Sequence, residues 1–295
     1  MHAARAELVE APSLRPCERC MTVALAIREA TAALAESSDT PRLDAELLMA
    51  HVLGVSRSDM LLRWMDQPVP EGIAALIVRR MRHEPVAYIL GCQEFHGLEF
   101  KVTPDVLIPR GDSEVLVDAA LAARPHARRV LDCGTGSGAL LLAVLDALPA
   151  AQGIGIERSA AALEVAQANA ESLGIANRVQ MVAADWDVPG WAADLGQFDL
   201  ILANPPYVED AAELAPSVRE HEPAGALFAG ADGLDAYRAL IPQLPDLLAP
   251  GGVAVLEIGA TQAAAVTAIA AAAGLAARLH HDLGGRPRVV ELSRG

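Results

Sequence analysis

Between Met21 and about Gly91 apolar residues return every three or four positions: Val23, Ile27, Ala30 and Leu34, then Leu43, Leu47 and Leu48, then Ile73, Leu76, Ile77 and Met81. That period places them on one face of successive helices. Thr40-Pro41 reads as a helix start, a capping hydroxyl before a proline at the first helical position, and Gly54 reads as a stop. Helices of about 10 to 14 residues with short loops pack as a small bundle. From Gln93 to Val102 the pattern changes to alternation around Gly97, which predicts a β-hairpin.

After about Asp118 short β-rich runs alternate with helical segments. The pattern predicts strands over 129–132, 153–157, 179–183, 198–203 and 253–258, helices over 137–148, 160–173, 234–248 and 261–273, and two closing β segments near 276–281 and 288–292. Strands alternating with helices imply right-handed crossovers and a mostly parallel, doubly wound sheet, so the expected fold class is α/β and Rossmann-like. Such sheets bind ligands at the carboxyl ends of their strands. The expected organisation is a loose extension over 1–20, a helical domain over 21–92, a hairpin and linker over 93–117, and the α/β domain over 118–295.

Composition narrows the partners. The 295 residues are 53% hydrophobic and 21% charged, without the 18 or more consecutive apolar residues of a membrane span, which predicts a soluble globular protein. Asp and Glu number 38 against 23 Lys and Arg, a net charge of −15 that repels phosphate backbones and argues against direct nucleic-acid binding. Four scattered cysteines, Cys17, Cys20, Cys92 and Cys133, suit a reducing compartment, and the first twenty residues lack the apolar run of a secretory signal, so the expected location is the cytoplasm. Cys17-x-x-Cys20 has no second pair at ligand spacing and the eight histidines do not cluster, so no metal is expected.

The chemistry concentrates just after the predicted strands. Val130-Leu131-Asp132 runs into Cys133-Gly134-Thr135-Gly136-Ser137-Gly138 and then an apolar helix. Glycines there let backbone approach a ligand closely, although such a turn also serves as plain loop geometry. The spacing is G-x-G-x-G, not the G-x-G-x-x-G of dinucleotide folds. Asp132 would repel a pyrophosphate but can pair with a cationic or amino-bearing ligand. Glu157 ends the second strand 19 positions after Gly138, where a carboxylate can accept both hydroxyls of a ribose. Asp185-Trp186 follows the third strand, where an acid and an aromatic can hold an adenine, or the ring can simply pack.

Asn204-Pro205-Pro206-Tyr207 after the fourth strand is the most specific signal. The prolines fix the backbone, the Asn carboxamide oxygen and a Pro carbonyl can each accept one hydrogen of a planar NH2 group, and the Tyr ring can stack on that plane. An sp2 nitrogen is a poor nucleophile because its lone pair is delocalised. Two acceptors that favour its developing positive charge supply catalysis without a general base.

With these residues in place, the stretch from Met21 to the end resembles the protein-glutamine N5-methyltransferases that modify class 1 peptide-chain release factors. Besides Asn204-Pro205-Pro206-Tyr207, the resemblance rests on Leu107-Ile108-Pro109-Arg110-Gly111-Asp112-Ser113-Glu114 and on Glu222-Pro223-x-x-Ala226-Leu227. The family usually carries proline where Gly111 stands and threonine where Ser113 stands, a departure expected to loosen that segment. The resemblance implies a class I S-adenosylmethionine-dependent methyltransferase fold behind a helical domain that helps grip a release factor, with transfer to the glutamine of its Gly-Gly-Gln loop; the expected state of the chain is a monomer. It implies that Asp132, Gly134, Thr135, Gly136, Ser137, Gly138, Glu157, Asp185, Trp186 and Asn204 hold the cofactor. Asn204, Pro205, Pro206 and Tyr207 would hold the amide, with Arg110 at the entrance. Two rivals stay open: a nucleic-acid exocyclic-amine (N6-adenine or guanine) methyltransferase, which shares the amide logic but needs a basic groove, and a non-catalytic nucleoside-binding protein.

Overall fold

The computed structural model describes residues 21–295, and these divide into two compact units, one ending at Val86 and one running from Ala87 to Gly295. Cys17 and Cys20, with the extension over 1–20, lie outside the described residues.

The first unit is helical: α1 (Val23–Ala33), α2 (Pro41–Leu53), α3 (Arg57–Arg63) and α4 (Ile73–Met81). Val23, Ile27, Ala30 and Leu34 are all buried, as their spacing predicts. Gly54 ends α2 in the left-handed conformation at φ +65°, which a Cβ would disfavour. Thr40 precedes Pro41 at the start of α2, yet its hydroxyl caps no backbone N–H; it donates to the Asp44 carboxylate at 3.0 Å. The face of α2 also departs from its apolar pattern. Leu43 is exposed, and Asp44 turns inward with Ala45, Leu48 and Met49. Asp44 is tolerated there because Arg80 of α4 donates its Nε at 2.6 Å and Ser38 its hydroxyl at 2.7 Å. Met81, at the end of α4, is likewise exposed.

A short α5 (Val86–Leu90) leads into the hairpin β1 (Cys92–Phe95) and β2 (Leu98–Lys101). Its two-residue turn, His96 at φ +51° and Gly97 at φ +76°, has the handedness that suits the twist of paired strands. Phe95 and Phe100 pack into the core below α6 (Glu114–Ala123), a helix absent from the sequence reading although Leu116, Val117 and Ala120 form its buried stripe.

The chain then alternates: β3 (Arg129–Cys133), α7 (Ala139–Ala147), β4 (Gln152–Glu157), α8 (Ala160–Ser172), β5 (Val179–Ala183), β6 (Phe198–Ala203), α9 (Pro216–Arg219), α10 (Asp235–Leu240), α11 (Leu244–Leu247), β7 (Leu248–Glu257), α12 (Ala263–Ala272), β8 (Leu275–His281) and β9 (Pro287–Arg294). The seven strands pair in the order β5-β4-β3-β6-β7-β9-β8, parallel except for β9, which runs antiparallel to both neighbours. Alternating residues serve the two faces. Val130, Leu200 and Leu202 join the core under α6 and α7, whereas Leu131, Ile201 and Ala203 join the core under α10, α11 and α12. The helix expected over 234–248 is broken into α10, a 3-10 turn and α11. Pro242 and Pro245 have no N–H to donate and crowd the preceding carbonyls. Leu248 then starts β7 five residues before the expected strand, pairing with Phe198 ahead of a register shift.

Removing Asp44 would leave Arg80, only 8% exposed, without its carboxylate. Asp44→Ala is therefore expected to destabilise the helical unit by about 3 to 5 kcal/mol. Arg42→Ala, which removes a 74% exposed partner of Glu46, should cost under about 1 kcal/mol. Urea unfolding of both variants, followed by circular dichroism, checks the contrast, and equal losses would contradict it.

Candidate active site

A cavity of about 420 Å³ opens at the carboxyl ends of β3 to β6, within the second unit. Its walls come from Val106 to Arg110, the turn Gly134–Ser137, Glu157–Ser159, Ala184–Asp187, Asn204 with Pro206, and the loop from Pro223 to Gly230. The size suits a nucleoside-bearing ligand. The turns after all four strands named by the sequence reading thus meet in one place.

The glycine turn is anchored from below. Gly134 and Thr135 both donate their N–H to the Ile156 carbonyl at 2.9 Å, and the Thr135 hydroxyl donates to Asp132 at 2.7 Å. Asp132 is 1% exposed and does not line the cavity; one of its oxygens is buried without a partner among the described residues. Burial pushes its carboxyl up to about 7, against the opposing Thr135 hydrogen bond and with help from the nearby Glu157 charge. Gly138 is also set back from the cavity. A second anchor, which sequence reasoning missed, is Asn169 on α8. Its side chain accepts the Lys101 N–H at 2.7 Å and donates to the Lys101 and Ser137 carbonyls at 3.0 and 2.8 Å, tying the turn to β2. The signal was a polar residue within the inward stripe Ala162, Val165, Ala166 and Ala170.

Gly134 sits at φ +76° against the Trp186 ring, where an added Cβ would stand 3.1 Å from the ring carbons. Trp186 is held by its own carbonyl, which accepts from Gln243 at 3.0 Å. Glu157 accepts the Gly136 N–H at 3.2 Å and the Ser159 N–H at 3.0 Å, so its carboxylate is fixed beside the turn with lone pairs to spare. Asp185 accepts the Asp187 N–H at 3.0 Å, and both acids line the cavity.

Asn204 and Pro206 line the cavity, whereas Pro205 is buried beneath them and Tyr207 turns its hydroxyl to the Glu257 carboxylate at 3.2 Å. The Tyr207 carbonyl accepts from Gln262 at 3.0 Å, and Gln262 is locked in turn by accepting the Gly259 N–H. Burial, the Glu257 charge and their hydrogen bond push the Tyr207 phenol up to about 12. Asn204 donates its Nδ2 to the buried Ser113 hydroxyl at 3.5 Å. Glu222, 6% exposed, pairs with Arg110 and accepts the Ile108 N–H, which joins the Leu107–Glu114 segment to the Glu222-Pro223 segment. The other acids of the first segment bond elsewhere: Asp112 pairs with Arg288 at 2.9 Å, and Glu114 accepts the His96 N–H. Among the described residues no group of His, Cys, Asp and Glu is arranged to hold a metal, and no helix is long and apolar enough to cross a membrane.

The site fits a positively charged nucleoside cofactor on three counts: a turn that lets backbone approach, a fixed carboxylate one strand away, and walls rich in acids. Asp105, Glu157, Asp185, Asp187 and Asp235 line the cavity, and its two arginines are engaged elsewhere, Arg110 by Glu222 and Arg158 by the Gly225 carbonyl. Strand order, glycine turn and cavity together define a class I S-adenosylmethionine-dependent methyltransferase fold. A methyltransferase from Pyrococcus furiosus superposes with a TM-score of 0.50 at 18% identity, over 68% of this chain and 90% of that one, which supports the fold. Family models match in both units, the PrmC N-terminal domain over residues 26–91 and the methyltransferase small domain over 111–221. The release factor glutamine methyltransferase of Cereibacter sphaeroides is 44% identical over 277 residues, covering 92% of this chain and 98% of that protein. That of Geobacter sulfurreducens is 46% identical over 236 residues, covering 77% and 80%. The chain belongs to the release factor glutamine methyltransferase family.

Because Asp132 holds its proton to about pH 7 when folded but to only about 3.8 when unfolded, ionisation favours the unfolded chain between those values. Its contribution to stability therefore falls as pH rises from about 4 to about 7 and is level above. Asp132→Asn removes the titration, so the stability of this variant relative to wild type should rise across that window. Urea midpoints at three pH values check it, and a gap independent of pH would refute the buried carboxyl's role.

Proposed function

We propose that the cavity holds S-adenosylmethionine and that the chain methylates the side-chain amide nitrogen, N5, of the glutamine in the Gly-Gly-Gln loop of class 1 peptide-chain release factors. The observation that carries this reading is the meeting of Asn204 and Pro206 with the turn Gly134–Ser137 in one cavity. When bound, the cofactor supplies an electrophilic methyl group on a positively charged sulfur. Gly134 to Ser137 line its path, Glu157 accepts its ribose hydroxyls and Trp186 with Asp185 borders its adenine. Asp132 and Gly138 support the turn from beneath.

For the substrate, the Asn204 side-chain oxygen and the Pro205 carbonyl each accept one amide hydrogen, holding the nitrogen in line for attack. Positive charge grows on that nitrogen as its lone pair is drawn off, and two fixed acceptors bind the charged form better than the neutral amide. Positioning supplies most of the acceleration. Pro206 and Tyr207 form the wall against the amide plane, and Arg110 shapes the entrance. The surplus proton leaves to water after transfer. The helical segment 21–92 supplies further contacts to a folded protein partner. The protein is read as a cytoplasmic monomer with no direct nucleic-acid contact.

Loss of Glu157 removes charge-assisted hydrogen bonds worth about 1.5 to 3 kcal/mol each. Glu157→Ala should therefore bind S-adenosylmethionine at least about tenfold more weakly by calorimetry. An unchanged affinity would take Glu157 out of the site. The substrate is tested by mass spectrometry of release factor, its Gln→Ala form, a Gly-Gly-Gln peptide and duplex DNA, each incubated with enzyme and cofactor. Methylation of the glutamine in the intact factor is expected, with the peptide slower. Asn204→Ala should lower turnover by about two orders of magnitude or more while cofactor affinity falls less. Methyl transfer to DNA, or to the Gln→Ala factor at the wild-type rate, would overturn the reading.

A further inference from the structure

Gln262 stands at the start of α12 without serving that helix as a side chain there usually does. A polar residue at a helix N-terminus normally turns back to accept the first N–H groups of its own helix. The backbone of Gln262 does begin α12, its N–H donating to the Gly259 carbonyl and its carbonyl accepting the Val266 N–H, both at 2.9 Å, but its side chain caps no N–H of that helix. The carboxamide reaches to other segments instead. Its Oε1 accepts the Gly259 N–H at 3.0 Å, and its Nε2 donates to the Tyr207 carbonyl at 3.0 Å and to the Gly233 carbonyl at 3.1 Å. One acceptor and two hydrogens meet one N–H and two carbonyls, so only one orientation of the amide satisfies all its partners. Glycines clear the space for it. A Cβ on Gly233, which sits at φ +68°, would come within 2.3 Å of the Tyr207 oxygen and 2.7 Å of the Gln262 nitrogen, and one on Gly259 within 2.8 Å of the Gln262 oxygen.

The carbonyl that Gln262 holds is the last group of the Asn-Pro-Pro-Tyr turn. Pro205 and Pro206 have no N–H, so two of the four residues offer no backbone donor by which the turn can be fixed. At its start, Ala203 is locked in the sheet between Cys133 and Leu256. Just past its end, Val208 donates to the Leu227 carbonyl at 2.8 Å and accepts the Ala229 N–H at 2.9 Å, both from the loop that forms another wall of the cavity. Without a bond at Tyr207 the turn would be free to pivot with that loop. Gln262 ties it to the segment that follows β7 and to the loop before α10. We propose that Gln262 is the positioning residue that locks the far end of the Asn-Pro-Pro-Tyr turn, and that position 233 is glycine to leave this lock room. This inference rests on the functional reading above, since what the lock aims is the acceptor pair of Asn204 and Pro205. A displacement of about 1 Å in such a pair costs about a hundredfold in rate.

Two substitutions of similar size test it. Gln262→Met keeps the length of the side chain and loses all three hydrogen bonds, and Gln262→Glu keeps the shape but sets a carboxylate against two carbonyls. Turnover on release factor is expected to fall at least about tenfold in both. Affinity for S-adenosylmethionine, measured by calorimetry, should stay at the wild-type value, because Gln262 does not line the cavity. Gly233→Ala should reproduce the fall in turnover from the opposite side of the same carbonyl. A bond that served stability alone would lower the melting temperature and leave turnover of the folded enzyme intact. A readout independent of turnover comes from the chain's three tyrosines, Tyr88, Tyr207 and Tyr237, labelled with 13C at the backbone carbonyl. Tyr207→Phe identifies the Tyr207 signal by its disappearance. That signal should shift in both Gln262 variants in the direction of a lost hydrogen bond, while the Tyr88 signal stays in place. Wild-type turnover in the folded variants, a loss of cofactor affinity as large as the loss of turnover, or a Tyr207 carbonyl signal unmoved in both would overturn the proposal. If the wild-type chain leaves the release factor unmodified, the functional reading fails, and the Tyr207 signal still decides whether Gln262 holds the turn.

Discussion

The reversal of strand order beside β3 is the constraint on which the rest depends. From β3 the chain winds outward through β4 to β5, then returns to lay β6 against the other side of β3. The loops leaving β3 and β6 therefore part toward opposite faces of the sheet and open a crevice between them. Register sharpens this. Cys133 pairs with Ala203, so the turns that begin at Gly134 and Asn204 leave the sheet at the same level. A segment built for close backbone approach and a segment rich in acceptors are neighbours because two parallel strands end together.

Turns at a sheet edge would wander if water could satisfy their polar groups, and the structure prevents this with acids placed at or near strand ends. Asp132 engages Thr135, Glu157 engages the N–H groups of Gly136 and Ser159, and Glu257 engages Tyr207. Each clasp lies in or beside a poorly hydrated interior, where a lost partner is expensive and a hydrogen bond is electrostatically strong. Asn169 adds a clasp from the helix layer, so the turn that faces the ligand is braced from the sheet, from α8 and from the hairpin. Rigidity of this kind is what an acceptor-based mechanism requires, since the acceptors must already be aimed before charge appears on the amide.

Much of this was legible in the chain. Strands buried on both faces read as apolar runs, and β3, β4, β5 and β6 fall where the pattern put them, as do the turns that follow. The misreadings have local causes. Pro242 and Pro245 interrupt a segment whose apolar spacing is helical throughout, and α6 sits so close to the motif before it that its short stripe passed as linker. In α2 the pattern assumed that only apolar residues turn inward, and Asp44 does so because a distant Arg80 meets it. The same limit hid Glu257, Glu222 and Asn169. A pairing across many residues leaves no local period, and the only trace is a polar side chain standing in an apolar stripe or closing an apolar strand.

The acidity of the chain acquires a local meaning in this frame. A net charge of −15 spread evenly would be a statement about solubility, but here carboxylates also line the cavity while its arginines are neutralised or bonded to backbone. Gly225 shows how closely one of these is fitted: a Cβ there would come within 2.7 Å of the Arg158 guanidinium that bonds its carbonyl. The cavity therefore offers little to a phosphate and much to a ligand that carries positive charge. Under the proposed reading the same field acts on the second substrate. A planar NH2 group is common to glutamine and to the amino-bearing bases, and an acceptor pair cannot tell them apart by hydrogen bonding alone. What separates them is the backbone that delivers the group, since a polyphosphate strand must bring its charge to an acidic rim while a basic protein surface is drawn toward it.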